Sequence, residues 1–130
     1  MNKSSVVILG GGVGGIVTAN HLAKLLPPES EIVLVEKNRL HSFEASYLWL
    51  MVNKRTPEQI STPLRNLVEK RVKILFEEIK QIDAENKVII TGNSQFSFQY
   101  LVLALGADFD QSYLNKQQFG IHNFFTLDGK

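Results

Sequence analysis

A run of glycines near the N-terminus constrains the fold of this chain more than any other feature. Residues 10–15 read GGGVGG and follow the apolar, β-branched run of residues 6–9. Behind them, Ile16, Ala19 and Ala23 recur at helical spacing until two prolines interrupt the pattern. These residues predict a strand, a tight glycine turn and a helix. A secretory signal is disfavoured, because five glycines would break up its short apolar helix.

The glycines have the spacing of a nucleotide-binding turn. Gly10, Gly12 and Gly15 match the pattern GxGxxG. A second apolar run, residues 31–36, follows the helix and ends in Glu36, 21 positions after Gly15. The pattern alone is weak. With a strand before it, a helix after it and an acidic residue at the end of the next strand, it predicts a dinucleotide-binding unit.

Each part of this unit has a mechanical role. Gly10 permits the tight turn, Gly12 lets the backbone approach a pyrophosphate, and Gly15 allows close packing of helix and strand. The start of the helix, at Val13 and Gly14, offers free N–H groups and a partial positive charge to phosphates. The glutamate would accept hydrogen bonds from ribose hydroxyls and repel a 2′-phosphate. The alternative is a glycine-rich turn beside a surface glutamate, and the pattern does not separate FAD from NAD.

Composition excludes several other classes of protein. The 130 residues carry 14 Lys+Arg against 13 Asp+Glu, and a net charge of +1 provides no field for nucleic acid or an anionic membrane. The absence of cysteine excludes disulfides, thiolate zinc sites and a thiol nucleophile. His21, His41 and His122 lack metal-ligand spacing, so we predict no metal site and no catalytic residue. No apolar run approaches the roughly 20 residues that span a bilayer, so we expect a soluble or at most peripheral protein.

The rest of the chain predicts one more helix and several strands. Residues 37–60 predict a loop with a short helix. Thr56 before Pro57 marks a helix start, and helical spacing continues through Val68 to the basic stretch of residues 70–71. Further strands are predicted at residues 72–76, 79–82, 88–91, 96–100 and 101–105.

Some of these predictions concern particular side chains. The alternation of Phe96, Phe98 and Tyr100 indicates an antiparallel strand with one covered face. The uniformly apolar run of residues 101–105 indicates a return to a buried parallel sheet. The adjacent Glu77 and Glu78 would point to opposite faces of a strand and form no acid–base pair. The basic pairs at residues 54–55 and 70–71 are interpreted as solvated surface.

At its last strand the chain resembles a known group of enzymes. The order of elements, ending in residues 100–106 (YLVLALG), resembles the FAD-binding half of flavoprotein disulfide-reductase-like enzymes. In those proteins the strand ends in Ala-Thr-Gly, whereas this chain has Leu105 in place of the threonine and therefore lacks its hydroxyl. Residues 43–49 look like the segment after the second strand of sulfide:quinone oxidoreductases, which are related to flavocytochrome c sulfide dehydrogenases and type II NADH dehydrogenases. The resemblance implies an α/β fold, a Rossmann-type parallel sheet of order 3-2-1-4 with an antiparallel β-meander.

The resemblance also implies a set of cofactor-binding residues. The AMP side of FAD would be held by Gly10, Gly12, Gly15, Glu36 and Lys37. Ser46 would lie towards the ribityl or flavin side, the backbone of Ile79 would meet the adenine, and Leu105 with Gly106 would lie over the pyrophosphate. For Phe43 and Trp49, core packing is an equally good interpretation.

Function and partners follow from the same resemblance. Residues 1–130 would form a single, partial FAD/NAD(P)-binding domain of a flavin-dependent oxidoreductase, catalytically incomplete alone because family members carry cysteines and a second nucleotide domain. A quinone and a missing C-terminal domain or partner chain are the implied partners. The implied location is cytoplasmic, peripheral to the membrane in a longer parent protein. The alternatives are a non-catalytic NAD- or AMP-type nucleotide-binding module and an inert fragment.

Overall fold

The computed structural model describes residues 5–107, which fall into two units. The first unit comprises residues 5–41 and 63–106, and the second comprises residues 42–62 with Ala107. The strands are β1 (Ser5–Leu9), β2 (Glu31–Val35), β3 (Leu40–Ser42), β4 (Ser61–Pro63), β5 (Lys73–Leu75), β6 (Ile79–Asp83), β7 (Val88–Thr91), β8 (Gln95–Ser97) and β9 (Tyr100–Leu103). The helices are α1 (Val13–Leu25), α2 (Tyr47–Met51) and α3 (Pro57–Ile60), with 3-10 turns at Glu44–Ser46 and Leu64–Leu67.

The predicted architecture is confirmed. Four parallel strands form one sheet of order β5-β2-β1-β9, which in chain order of the parallel strands is 3-2-1-4. Strands β6, β7 and β8 form the predicted antiparallel meander, and β3 pairs with β4 in a two-stranded sheet. The predicted helix after the glycine turn is α1, which begins at Val13 and ends at Leu25.

The central strands are buried on both faces, which explains their continuous apolar runs. On one face of β1, Val6 and Ile8 pack with the buried side of α1. On the other face, Val7 and Leu9 pack with side chains of the meander. Each fully buried aliphatic side chain contributes about 1.5 to 3 kcal/mol of apolar burial. The parallel sheet is therefore a central layer between a helix and a meander.

The helix predicted from Thr56 to Val68 is wrong in its extent. The start is as expected, because Thr56 and Gln59 form a capping box with Pro57 in the first turn. The helix ends after one turn at Ile60, and β4 follows. Two causes act together. Thr62 precedes Pro63, and a residue before a proline disfavours helical geometry. The fully buried Leu64 packs into the core from a separate 3-10 turn.

The prediction for residues 96–105 is partly wrong. The alternation does not lie on one strand, since β8 ends at Ser97 and Tyr100 pairs with Val6 at the start of β9. Phe98 is buried, whereas Tyr100 is 62% exposed. Among the described residues β9 pairs with β1 alone, so it is the edge of the parallel sheet and Leu103 is also 62% exposed. The apolar run of residues 101–105 had instead predicted a strand buried within the parallel sheet.

Two predictions about charged surface residues also need correction. Arg71 is not merely solvated, because its guanidinium donates to the carbonyls of Ala23, Leu26 and Pro27 at 2.8 to 3.1 Å, which caps the C-terminal end of α1. Glu77 and Glu78 lie in the connection between β5 and β6 rather than on a strand. They have separate partners, since Glu77 accepts from Thr91 and Glu78 from Lys80.

The second unit contains α2, α3 and the 3-10 turn before α2. Core packing of the aromatic residues is not what the structure shows, since Phe43 is 53% and Trp49 50% exposed. Arg55 is more than a solvated cation, because it donates to the buried Ser46 hydroxyl over 3.0 Å and lies 5.9 Å from the Trp49 ring centroid. Within residues 5–107, no helix is long and apolar enough to cross a membrane. The predicted tail from residue 108 onwards, with His122, lies outside the described residues.

Candidate functional site

The candidate site lies where the parallel strands end. Leu9 pairs with Val35 and with Leu103, and Val35 pairs with Leu75. The carboxyl ends of all four strands therefore meet at one edge of the sheet. Open α/β sheets bind their ligands at this edge. The structure thus brings the glycine turn, Glu36 and the segment of residues 104–106 together.

Gly10 and Gly15 are required by the fold itself. Gly10 has a φ of +104°, and its N–H donates to the Val35 carbonyl over 2.9 Å. A Cβ at Gly10 would lie 2.2 Å from the carbonyl oxygen of Ala104. A Cβ at Gly15 would lie 1.8 Å from the carbonyl oxygen of Gly10. Both clashes are with backbone, so the tight turn and the close helix packing depend on these two glycines.

Gly12 is a glycine for a different reason. It is the N-cap of α1 in extended geometry, with a φ of −73°, and a Cβ there would meet nothing within 4 Å. The fold would accept a side chain at this position, so the open space is the feature to be explained. A ligand that approaches the backbone closely would need that space.

The N-terminus of α1 has the features of an anion-binding site. No side chain caps the helix, and its first turn carries no acidic residue. The Gly12 amide has no acceptor within residues 5–107, and the amides of Val13 and Gly14 have none inside the helix. Unpaired amides and the positive end of a 13-residue helix are a recurrent phosphate site. The cradle at Gly12 therefore fits the pyrophosphate of a dinucleotide.

Glu36 is fixed beside the glycine turn by backbone amides. The Gly11 N–H donates to Oε2 over 2.7 Å and the Asn38 N–H donates to Oε1 over 2.8 Å. Its own N–H donates to Leu75 over 3.0 Å, which extends the sheet by one step. Each carboxylate oxygen keeps a free lone pair for a ribose hydroxyl. Lys37 is exposed next to it in the turn closed by Asn38.

The segment after β9 lies over the glycine turn. The carbonyl of Ala104 and the Cα of Leu105 are the closest atoms to the Cβ position of Gly10, at 2.2 and 3.0 Å. Gly106 has a φ of +74° with open space around it. Leu105 is exposed and provides no hydroxyl, so this segment can form hydrogen bonds with a ligand only through its backbone.

Two predicted site residues are not among the contacts described above. Ser46 lies in the second unit, where it is buried and its hydroxyl accepts from Arg55. Ile79 begins β6, four residues beyond the end of β5, and its side chain packs against the core. The neighbouring Glu78 carbonyl accepts from Gly92, which ties this connection to the meander turn.

Sequence reasoning missed three residues that shape the turn. His41 contacts the Gly11 carbonyl, Asn38 holds the Glu36 carboxylate, and Leu64 packs against Gly11. In the sequence, the spacing of the histidines was interpreted only for metal binding. The described residues contain no group of acidic or histidine side chains suited to a metal. A histidine that follows the acidic strand end by five residues is a weak signal that could have been considered.

Comparison with known proteins agrees with this geometry. The family model of the pyridine nucleotide-disulphide oxidoreductases matches residues 4–128. The chain is 35% identical over 103 residues to the sulfide-quinone reductase of Aquifex aeolicus, covering 78% of this chain and 24% of that protein. It is 29% identical over 131 aligned positions to the type II NADH:quinone oxidoreductase of Staphylococcus haemolyticus, covering 96% of this chain and 32% of that protein.

Solved structures give the same result. The sulfide:quinone oxidoreductase of Aquifex aeolicus has a TM-score of 0.72 at 30% identity, over 81% of this chain and 25% of that one. The NDH2 of Plasmodium falciparum, at 18% identity and a TM-score of 0.67, shares the fold. The chain spans about a quarter to a third of the length of the curated relatives it matches. The resemblance predicted from sequence is confirmed: this chain belongs to the pyridine nucleotide-disulphide oxidoreductase family.

Proposed function

We propose that this chain is the FAD-binding portion of a flavin-dependent oxidoreductase related to the sulfide and NADH:quinone oxidoreductases. Residues 1–130 would form a single, partial FAD/NAD(P)-binding domain of that enzyme. Family membership supports a flavin, and the match to a quarter to a third of each relative supports a missing remainder. A quinone as electron acceptor and a location peripheral to a membrane belong to the same proposal, because the relatives are named for quinone reactions.

In this proposal, the AMP half and the pyrophosphate of the cofactor are bound by residues of the first unit. The amides of Gly12, Val13 and Gly14 would hold the pyrophosphate. Glu36 would accept from the ribose of the AMP half, with Lys37 exposed beside it. Gly10 and Gly15 would shape the turn that holds the AMP side of FAD. Bound FAD would supply the redox chemistry, and this chain would supply position and electrostatics.

Three further assignments rest on the family resemblance. The Leu105–Gly106 backbone would lie over the pyrophosphate, the Ile79 backbone would meet the adenine, and Ser46 would face the ribityl or flavin side. Leu105 and Gly106 have support from geometry, because their segment contacts the Gly10 turn. For Ile79 and Ser46, a ligand-bound structure is the direct test.

One observation carries the proposal. The fold would tolerate a side chain at Gly12, yet this glycine lies beside the unpaired amides at the start of α1. The Glu36 carboxylate is held next to it by the Gly11 amide of the same turn, over 2.7 Å. A purely structural turn needs Gly10 and Gly15 but has no use for open space at Gly12. A non-catalytic NAD- or AMP-type nucleotide module would use the same cradle, so the choice of ligand is part of the test.

The experiment is a set of calorimetric titrations of the purified chain with FAD, ADP, NAD and FMN. We expect FAD and ADP to compete for one site and FMN, which lacks the AMP half, not to bind. Tighter binding of NAD than of FAD would favour the nucleotide-module alternative. Absence of binding by every adenine nucleotide would contradict the proposal.

A pair of variants separates the cradle from general effects. Gly12→Val fills the open space and should abolish ADP binding at a cost in stability of about 1 kcal/mol, since glycine is the better N-cap. Gly92→Val is the matched control, because a Cβ there also meets nothing within 4 Å but lies in the meander turn. ADP binding by Gly12→Val at the wild-type affinity would refute the assignment.

A further inference from the structure

Both polar groups of Gly11 are held by side chains from beyond the turn. Its N–H donates to Glu36 over 2.7 Å, and its carbonyl oxygen lies 3.2 Å from Nδ1 of His41. A Cβ at Gly11 would lie 2.8 Å from both Glu36 Cγ and Leu64 Cδ2, so the residue is also enclosed. Gly11 is therefore fixed through both of its backbone polar groups, although it is not one of the three glycines of the motif.

The direction of the histidine hydrogen bond follows from its partner. A carbonyl oxygen only accepts, so Nδ1 carries the proton and donates. Nδ1 can donate from the neutral ring with its proton on that nitrogen and from the doubly protonated ring. His41 lies in β3, is half-buried and belongs to the same unit as Gly11.

Holding the Gly11 carbonyl also orients the next amide. The Gly11 C=O and the Gly12 N–H belong to one planar trans peptide and point in opposite directions. With the oxygen bound to His41, the Gly12 N–H points away from that ring. That amide has no acceptor within residues 5–107, and its residue faces the open space described above.

A peptide between two glycines needs an external hydrogen bond to fix its orientation. Glycine occupies positive and negative φ about equally, so the Gly11–Gly12 peptide can flip at little cost in free energy. A flipped peptide would turn its carbonyl oxygen towards a bound phosphate. Gly11 and Gly12 have no side chains of their own that could prevent this.

We infer that His41 is a positioning residue of the phosphate-binding turn: its Nδ1–H holds the Gly11 carbonyl so that the Gly12 amide faces the pyrophosphate of an adenine dinucleotide. This inference rests on the proposed function. Loss of one such hydrogen bond should weaken the binding of ADP by about three- to tenfold.

The test compares three variants of the full 130-residue chain by ADP titration. His41→Ala removes the donor and should weaken binding. His41→Asn should restore it to within about twofold, because the amide nitrogen can occupy the position of Nδ1. His21→Ala is the matched control: His21 also contacts a carbonyl through Nδ1 at 3.2 Å, but on Val17, in the middle of α1. It should bind ADP like the wild type.

A second readout does not depend on the ligand. Relaxation dispersion of the Gly12 amide by NMR should show exchange in His41→Ala and none in the wild type or His41→Asn. If His41→Ala fails to fold, His41→Gln takes its place, because its longer side chain does not put an amide nitrogen at the Nδ1 position.

The outcomes separate the two proposals. A wild-type chain that does not bind ADP contradicts the proposed function and this inference with it. Wild-type binding that His41→Ala retains in full, with a static Gly12 amide, overturns the inference alone. Equal loss in His41→Ala and His41→Asn also overturns it, because the ring rather than the donor would then matter.

Discussion

At the scale of single residues, the glycines of the turn divide into those that the fold needs and one that the ligand would need. Gly10 and Gly15 each approach backbone atoms at distances that no Cβ tolerates. Gly12 approaches nothing. The GxGxxG pattern of this chain therefore combines two physical requirements, which stability and binding measurements can separate.

The first prediction concerns stability. Gly15→Ala should lower the free energy of unfolding by at least about 2 kcal/mol, because the new Cβ forces α1 away from the Gly10 carbonyl. Gly12→Ala should lower it by about 1 kcal/mol or less. Urea unfolding followed by circular dichroism measures both. Equal losses of unfolding free energy in Gly15→Ala and Gly12→Ala would contradict this division of the glycines into two groups.

The second prediction concerns Glu36. Glu36→Gln should weaken ADP binding by roughly 1 to 3 kcal/mol, because a charged acceptor is lost and the amide group meets one of two backbone N–H donors unfavourably. The variant should also discriminate less against a 2′-phosphorylated ADP analogue, since the repelling charge is gone. Glu31→Gln, at the other end of β2, is the control. Unchanged affinity and discrimination in Glu36→Gln would show that this carboxylate serves the turn only.

At the scale of elements, the connection between β5 and β6 is tied to the meander by one carboxylate. The Thr91 hydroxyl donates to Glu77, and the Ser94 hydroxyl donates to it over 2.9 Å. The Thr91 hydrogen bond is the largest cause that lowers the pKa of Glu77 below its ordinary value of 4.5. Thr91 itself is buried at the end of β7. The tie therefore stabilises the fold while Glu77 is ionised.

The third prediction is the pH dependence of this tie. A carboxyl whose pKa is lower in the folded state stabilises the protein above the unfolded pKa, and this contribution is lost as pH falls through the folded pKa. Thr91→Val should therefore unfold at a lower urea concentration than the wild type at pH 7, and the gap should narrow below about pH 4.5. Thr91→Ser keeps the hydroxyl and should follow the wild type.

The comparison between variants is necessary because other carboxyl groups titrate in the same range. Asn86 hydrogen bonds lower the pKa of Asp83, and the hydrogen bond and charge of Lys80 lower the pKa of Glu78. Their contributions are common to all three proteins and cancel in the difference. A gap between wild type and Thr91→Val that stays constant with pH would contradict the role given to Glu77.

At the scale of the whole molecule, the proposed function makes this chain a partial flavoprotein that is catalytically incomplete alone. It contains no cysteine and no second GxGxxG pattern. The cradle is built from one edge of one sheet, and β9 is an exposed sheet edge among the described residues. A cofactor held on one side leaves much of its surface in water, and affinity depends on burying that surface.

The fourth prediction follows from this proposed incompleteness. The 130-residue chain should carry less than one flavin per molecule after purification. It should not reduce quinone on addition of sulfide or NADH, because no thiolate nucleophile is available and Leu105 provides no hydroxyl beside the last strand. Flavin absorbance and quinone reduction, each against a free-FAD control, are the measurements. Turnover above that control would require a partner chain or an oligomer that completes the site.

The sequence by itself determined the strands of the parallel sheet and of the meander, α1 and the position of the glycine turn, whereas the order of the parallel strands was implied by the family resemblance. These features leave a trace in local periodicity and glycine spacing, because burial on both faces of a strand, one apolar helix face and a turn with positive φ each act over a few neighbouring residues. Even the overextended helix at Pro57 began where its capping residues predicted.

Only the tertiary structure decided which side chains hold these elements in place. His41 meets Gly11 across 30 positions of sequence, and Arg71 meets Ala23 across 48. Leu64, which the sequence placed in a helix, packs against Gly11 of the glycine turn from a separate 3-10 turn. The apolar strand at residues 100–103 is an exposed sheet edge. These contacts join residues far apart in the sequence that belong to no common helix or strand. Because the packing of the layers decides which of them meet, no local sequence pattern predicts them.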